Sequence, residues 1–221
     1  MELKSEQKTI RMIMIAIIIA GMSWIGMSLF SDNYDSKNIV LDTEVIRSGF
    51  GQIKLNNPEK GNLFSTNIYQ DTSLGFQISK PNNDWEIHSV LDEMNPNELT
   101  SLKTKGFLDG VYVEQKHDRK FMLTIFDIQK ENFSLHEYVD NQIALMKSQK
   151  NIVIPLKQVS PKNDWAIFAV ELSDSKQYGE QILFLKENRL YMLQYFGDTP
   201  QSLNSKQKND FQFIMDSFEV I

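Results

Sequence analysis

From Met12 to Phe30 the chain reads MIMIAIIIAGMSWIGMSLF, nineteen residues without one charge. As a helix this stretch would extend roughly 28 Å, close to the hydrocarbon thickness of a bilayer. Whatever follows it must then work against a membrane. Three readings compete. A core helix of a soluble domain rarely runs this long without a polar face. A cleaved signal peptide has a shorter apolar region and ends at a small-x-small site. Here only Gly26 and Ser28 offer that spacing, and bulky Leu29 and Phe30 follow them. The segment therefore reads as an uncleaved anchor.

The flanks orient it. Lys4, Lys8 and Arg11 precede the span, whereas Asp32 and Asp35 follow it with Lys37 as the nearby cation. Lysine and arginine stay on the cytoplasmic side. The expected organisation is a cytoplasmic tail over 1–11, a single transmembrane helix over 12–30, a stalk over 31–66 and an extracytoplasmic domain over 67–221. Within the span Ala16 and Ala20 stand four apart, with Gly21 beside them. Small residues at helical spacing let a second helix approach closely, which makes these three a candidate packing face. Small residues are also simply common in membrane helices.

After the span come twenty basic and twenty-seven acidic residues. A domain of that charge is a poor nucleic-acid or anionic-lipid binder. The sequence has no cysteine, which excludes a disulfide, a thiolate nucleophile and a zinc–sulfur site. Such a domain must be held by its core alone, and aromatic residues at 11% supply one.

Residues 31–66, rich in Asn, Asp, Ser, Gly and Lys, read as tether, with Val45-Ile46 as a short apolar patch able to dock on the domain. From Asn67 on, Ile68-Tyr69 and Phe76–Ser79 suggest short strands around the turn Asp71-Thr72-Ser73, and Gly75 is available for a special backbone angle. Pro81–Asp84 forms a turn that delivers Trp85, and Pro96–Lys105 suits a surface helix or loop. Gly110–Glu114 and Phe121–Ile128 predict a hairpin across His117–Lys120.

Ser134-Leu135-His136-Glu137 is a capping box, followed by Leu135, Tyr138, Val139, Ile143 and Met146 at helical spacing. Four strands follow over Ile152–Val159, Trp165–Leu172, Gln181–Lys186 and Leu190–Phe196. A last helix over Ser205–Ser217 places Phe211, Ile214, Met215 and Phe218 on one face. The order argues an α+β domain, an antiparallel sheet covered by helices. The segment Pro81-Asn82-Asn83-Asp84-Trp85 recurs as Pro161-Lys162-Asn163-Asp164-Trp165. The flanks barely match, so the repeat reads as one turn chemistry used twice, with both tryptophans as core anchors.

Two stretches carry a family likeness. Leu74-Gly75-Phe76-Gln77-Ile78-Ser79-Lys80-Pro81 followed by Trp85, and the closing Phe211-Gln212-Phe213-Ile214-Met215-Asp216-Ser217-Phe218, resemble PsbP-like domains, related in fold to Mog1. The likeness covers about Asn67–Ile221 and implies an antiparallel sheet flanked by helices. It also implies a protein that binds or assembles others and is not an enzyme. No metal or partner residue carries over by motif.

The residues point the same way. His88, His117 and His136 lie on different elements, none with metal-ligand spacing. His136 belongs to an exposed first helical turn and His117 to a hairpin turn. Asp92-Glu93 and Asp109 with Glu114 read as solvated surface. There is no nucleophile elbow and no phosphate-binding loop. Tyr178, Tyr191, Tyr195 and Phe196 could line a groove, although core packing explains them as well. The expectation is a membrane-anchored binding or assembly module, an accessory subunit of a membrane protein complex. It would have the bilayer and a protein as partners and no cofactor, metal or catalytic residue. The alternative is a hydrolase or small-ligand-handling enzyme whose site is scattered along the sequence.

Overall fold

The computed structural model describes residues 67–92, 94, 96–115, 119–128, 133–147, 152–173 and 177–221, with the backbone course of 45–48 and 51–54. The strands are β1 (Val45–Ser48), β2 (Gly51–Lys54), β3 (Ile68–Asp71), β4 (Phe76–Ser79), β5 (Trp85–Ser89), β6 (Phe107–Gln115) and β7 (Arg119–Asp127), then β8 (Ile152–Val159), β9 (Trp165–Leu172), β10 (Gln177–Lys186), β11 (Arg189–Asp198) and β12 (Glu219–Val220). The helices are α1 (Pro96–Lys103), α2 (Leu135–Lys147) and α3 (Ser205–Ser217).

Seven strands form one antiparallel sheet in the order β5-β6-β7-β11-β10-β9-β8. Strands consecutive in the chain account for every pairing except β7 against β11, and all of these are hairpins but β5–β6, whose connection carries α1. The β7–β11 pairing is possible because α2 carries the chain from β7 across the sheet to its far edge, where β8 starts. The architecture is α+β, as expected. Both faces are covered, so the central strands do not alternate apolar with polar: β11 buries every residue from Leu190 to Tyr195.

On one face α3, through Phe211, and a small sheet of order β12-β4-β3 lie over Trp85, Phe121 and Tyr195. On the other, α1 and α2 lie over Phe107, Met122, Phe126, Phe168 and Met192. No helix among the described residues is long and apolar enough to cross a membrane, and the span 12–30 lies outside them.

Local chemistry explains the element ends. Ser134 Oγ accepts from Glu137 N at 3.2 Å, the first half of the capping box. The Leu135 amide is taken by Asn163 Oδ1 at 2.6 Å, from a turn 28 residues away. Asn163 sits at φ +60°, so the second Pro-x-Asn-Asp-Trp turn caps α2. The first copy caps no helix: Asp84 N donates to Asn82 Oδ1 at 2.9 Å within the turn, and the Asp84 carboxylate lies 3.7 Å from Lys206 Nζ of α3. For α3 the cap is a reciprocal pair between Asn204 and Gln207. Glu187 and Asn188 join β10 to β11 with φ of +50° and +61°, the left-handed pair that matches strand twist in a two-residue hairpin. Gly75 adopts φ +73°.

The structure corrects several expectations. Trp85 opens a strand and is fully buried, but Trp165 is only half-buried. β10 begins at Gln177, four residues earlier than expected, because Gly179 does not break it when both neighbours hold it in register. Phe218 falls just past α3 as its C-cap, yet its ring still packs 5.3 Å from Phe184. Within 31–66, β1 and β2 pair with each other, and β2 runs beside α3; the expected division of the chain into tail, span, stalk and domain is not decided by this.

Candidate functional site

The seven-stranded sheet carries polar side chains in its interior on both faces. On the α3 side, strand register places Ile87, Val113, Phe121, Tyr195, Glu180, Ala169 and Leu156 in one transverse row. Glu180, 2% exposed, is the one charged member. Its Oε2 accepts from Tyr178 Oη at 2.5 Å, two residues back on the same face. Burial first, and the neighbouring Glu180 carboxylate second, push the Tyr178 phenol far above its ordinary range.

Phe211 covers this row at 4.9 Å from the Tyr195 ring and 5.1 Å from Phe121. Met215 and Ile182 close the remaining sides, so tightly that no water-sized space is left. A carboxylate held this way is shielded from solvent and ordered. It is not placed to meet a substrate.

The α2 side carries a second row: His88, Tyr112, Met122, Gln194, Gln181, Phe168 and Lys157. Gln194 and Gln181 are directly opposite one another at 1% and 3% exposure. At one end of the row the His88 ring lies 5.4 Å from that of Tyr112. At the other, Lys157 pairs with Asp140 of α2, which also lies 3.1 Å from His136 Nδ1 at the surface.

Other sites read from the sequence disperse. His136 is exposed in the first turn of α2 and His88 is half-buried in β5, while His117 lies outside the described residues. Asp109 and Glu114 are both on β6, but strand parity sends them to opposite faces, so they form no acid–base pair. Among the described residues no three His, Asp or Glu side chains gather as a metal site. Tyr178, Tyr191 and Tyr195 share the α3 face as packed core, whereas Phe196 is on the opposite face over Gly179. Ala16, Ala20 and Gly21 lie outside the described residues.

No protein-family model matches the chain, and no curated protein does. Among solved structures it is similar to the solution structure of cyanobacterial PsbP (CyanoP) from Synechocystis sp. PCC 6803. The identity is 14% and the TM-score 0.47, covering 75% of this chain and 99% of that one.

Glu180 and the buried glutamines were not legible as site residues. Starting β10 at Gln181 cuts Glu180 out of the strand. The available signal was parity: Tyr178, Glu180 and Ile182 are spaced two apart and share a face, as do Gln181 and Leu183 on the other.

Proposed function

We propose that the protein is a single-pass, membrane-anchored extracytoplasmic binding or assembly module without catalytic activity, an accessory subunit of a larger membrane complex. The observation that carries this reading is the uncharged span Met12–Phe30, with basic residues before it and acidic ones behind. The candidate contact face within the membrane is Ala16, Ala20 and Gly21. A domain whose polar groups are shut inside two packed layers supports the reading, and so does the sequence resemblance to PsbP-like domains.

Two measurements test it. Protease added to spheroplasts should digest the domain and spare the tail, and a mature chain beginning near Leu29 would replace the anchor with a cleaved signal. Purification in mild detergent should yield a membrane protein partner at fixed stoichiometry. Ala20→Leu or Gly21→Leu should weaken that association several-fold by blocking close helix approach. A histidine or carboxylate substitution that abolishes turnover in a folded, membrane-located protein would overturn the non-catalytic reading.

A further inference from the structure

A third buried glutamine, Gln142 of α2, lies in the layer that covers the face carrying the Gln181–Gln194 pair. Tyr138 of α2 reaches across to β11, its Oη 3.5 Å from Met192 Sδ. The helix starts beside Asn163, at the end of the sheet where β11 begins, and leads towards Ile152, opposite Leu172 at the other end. It therefore runs in the same sense as β11. One helical turn beyond Tyr138 advances about 6 Å to Gln142, and two residues beyond Met192 advance about 6.6 Å to Gln194. Gln142, 1% exposed, is thus carried along the sheet to the level of the Gln181–Gln194 pair.

Among the described residues, neither amide atom of Gln142 or Gln194 has a hydrogen-bond partner, nor does Gln181 Oε1, nor Thr124 Oγ1 in the adjacent row. The surrounding side chains, Met122, Phe168, Leu183 and Met192, are apolar and buried. They offer these amides nothing beyond the weak acceptance of sulfur.

We propose that Gln142, Gln181 and Gln194 form an internal water-binding site that seats α2 on the sheet. Buried polar groups in native proteins are satisfied almost without exception, and an enclosed water makes about three hydrogen bonds to groups that lack protein partners. The cluster presents donors and acceptors together, and water serves both at once. A metal ion would leave the NH2 groups unserved, and an anion would leave the carbonyls facing it. The site rests on the folded domain alone and does not depend on the membrane reading.

The test is nuclear magnetic resonance on the full-length chain in deuterated detergent micelles. The side-chain NH2 protons of Gln142 and Gln194 should show cross-relaxation with water whose NOE and ROE have opposite signs, the mark of a water held longer than about a nanosecond. In Gln142→Met the signal at Gln194 should fall by at least half, and Gln201→Met, at an exposed position, should leave it unchanged. NH2 protons that see only each other's side chains would replace water with direct amide–amide pairing and overturn the proposal. So would an undiminished water signal in Gln142→Met. If that variant does not fold, the wild-type spectrum decides alone, because absence of any long-lived water there also refutes the site.

Discussion

Trp85 and Trp165 close nearly identical turns, yet truncating them should have unequal consequences. Trp85 has no exposed surface. Its ring meets Phe211 edge-on at 5.9 Å and Phe121 at 6.3 Å, and its Nε1 lies 3.4 Å from Asp210 Oδ2. Emptying a core site of this size costs about 3–5 kcal/mol, and each aromatic pair adds about 0.5–1.5 kcal/mol of geometry-specific attraction. Trp85→Ala should therefore lose at least about 4 kcal/mol, most of a typical domain's stability. Trp165 is partly exposed at the start of β9, so less transfer energy is at stake than at Trp85. Trp165→Ala should lose about 1.5–2.5 kcal/mol. The assay is equilibrium urea unfolding of the full-length chain in detergent micelles, followed by far-ultraviolet circular dichroism. With a slope near 2 kcal/mol/M, the midpoints should fall by about 2 M and about 1 M respectively. If Trp85→Ala does not fold, Trp85→Phe still measures the site and should cost more than Trp165→Phe. Equal losses, or a larger one at Trp165, would refute the placement of Trp85 in the centre of the α3-face core and of Trp165 at its edge.

Gly106 takes φ +86°, and a Cβ there would stand 2.4 Å from the Asp127 carbonyl oxygen. Gly106→Ala should cost more than the roughly 1 kcal/mol of left-handed strain alone, read as a urea midpoint shift. Tyr178→Phe removes the hydroxyl that donates to Glu180 and should cost about 1–3 kcal/mol by the same measurement. Because the folded-state pKa of Tyr178 is raised, its contribution is intact below the ordinary tyrosine value of 10.0 and declines above it, where only the unfolded chain ionises. Ultraviolet titration should therefore find Tyr178 un-ionised until the protein unfolds. Asp71 is lowered below its ordinary 3.8, first by the Ser73 hydroxyl and then by the Leu74 and Ser73 amides. That contribution is present above pH 3.8 and lost as pH falls through the folded value, so the stability gap between wild type and Asp71→Asn should narrow from pH 7 to pH 3.

Much of the domain was readable from local pattern. The helical spacing of Leu135, Tyr138, Val139, Ile143 and Met146, the turn at Glu187-Asn188 and the β8 and β9 runs all depend on interactions within a few residues, and sequence records those directly. The expectation of a membrane span is equally local, a matter of nineteen side chains and their flanks. Other features were decided by contacts far apart in sequence. Whether a repeated Pro-x-Asn-Asp-Trp turn caps a helix depends on Leu135 arriving at Asn163. Whether a tryptophan is central or peripheral in the core depends on what the chain brings against it, as α3 brings Phe211 against Trp85. The two interior polar groups are the clearest case. Gln181, Gln194 and Glu180 look like surface residues in any local window, because glutamine and glutamate are normally solvated. They are buried because β7 pairs with β11, which makes β10 and β11 central, and because α2 and α3 then cover both faces. That pairing joins segments some seventy residues apart, and no local periodicity encodes it.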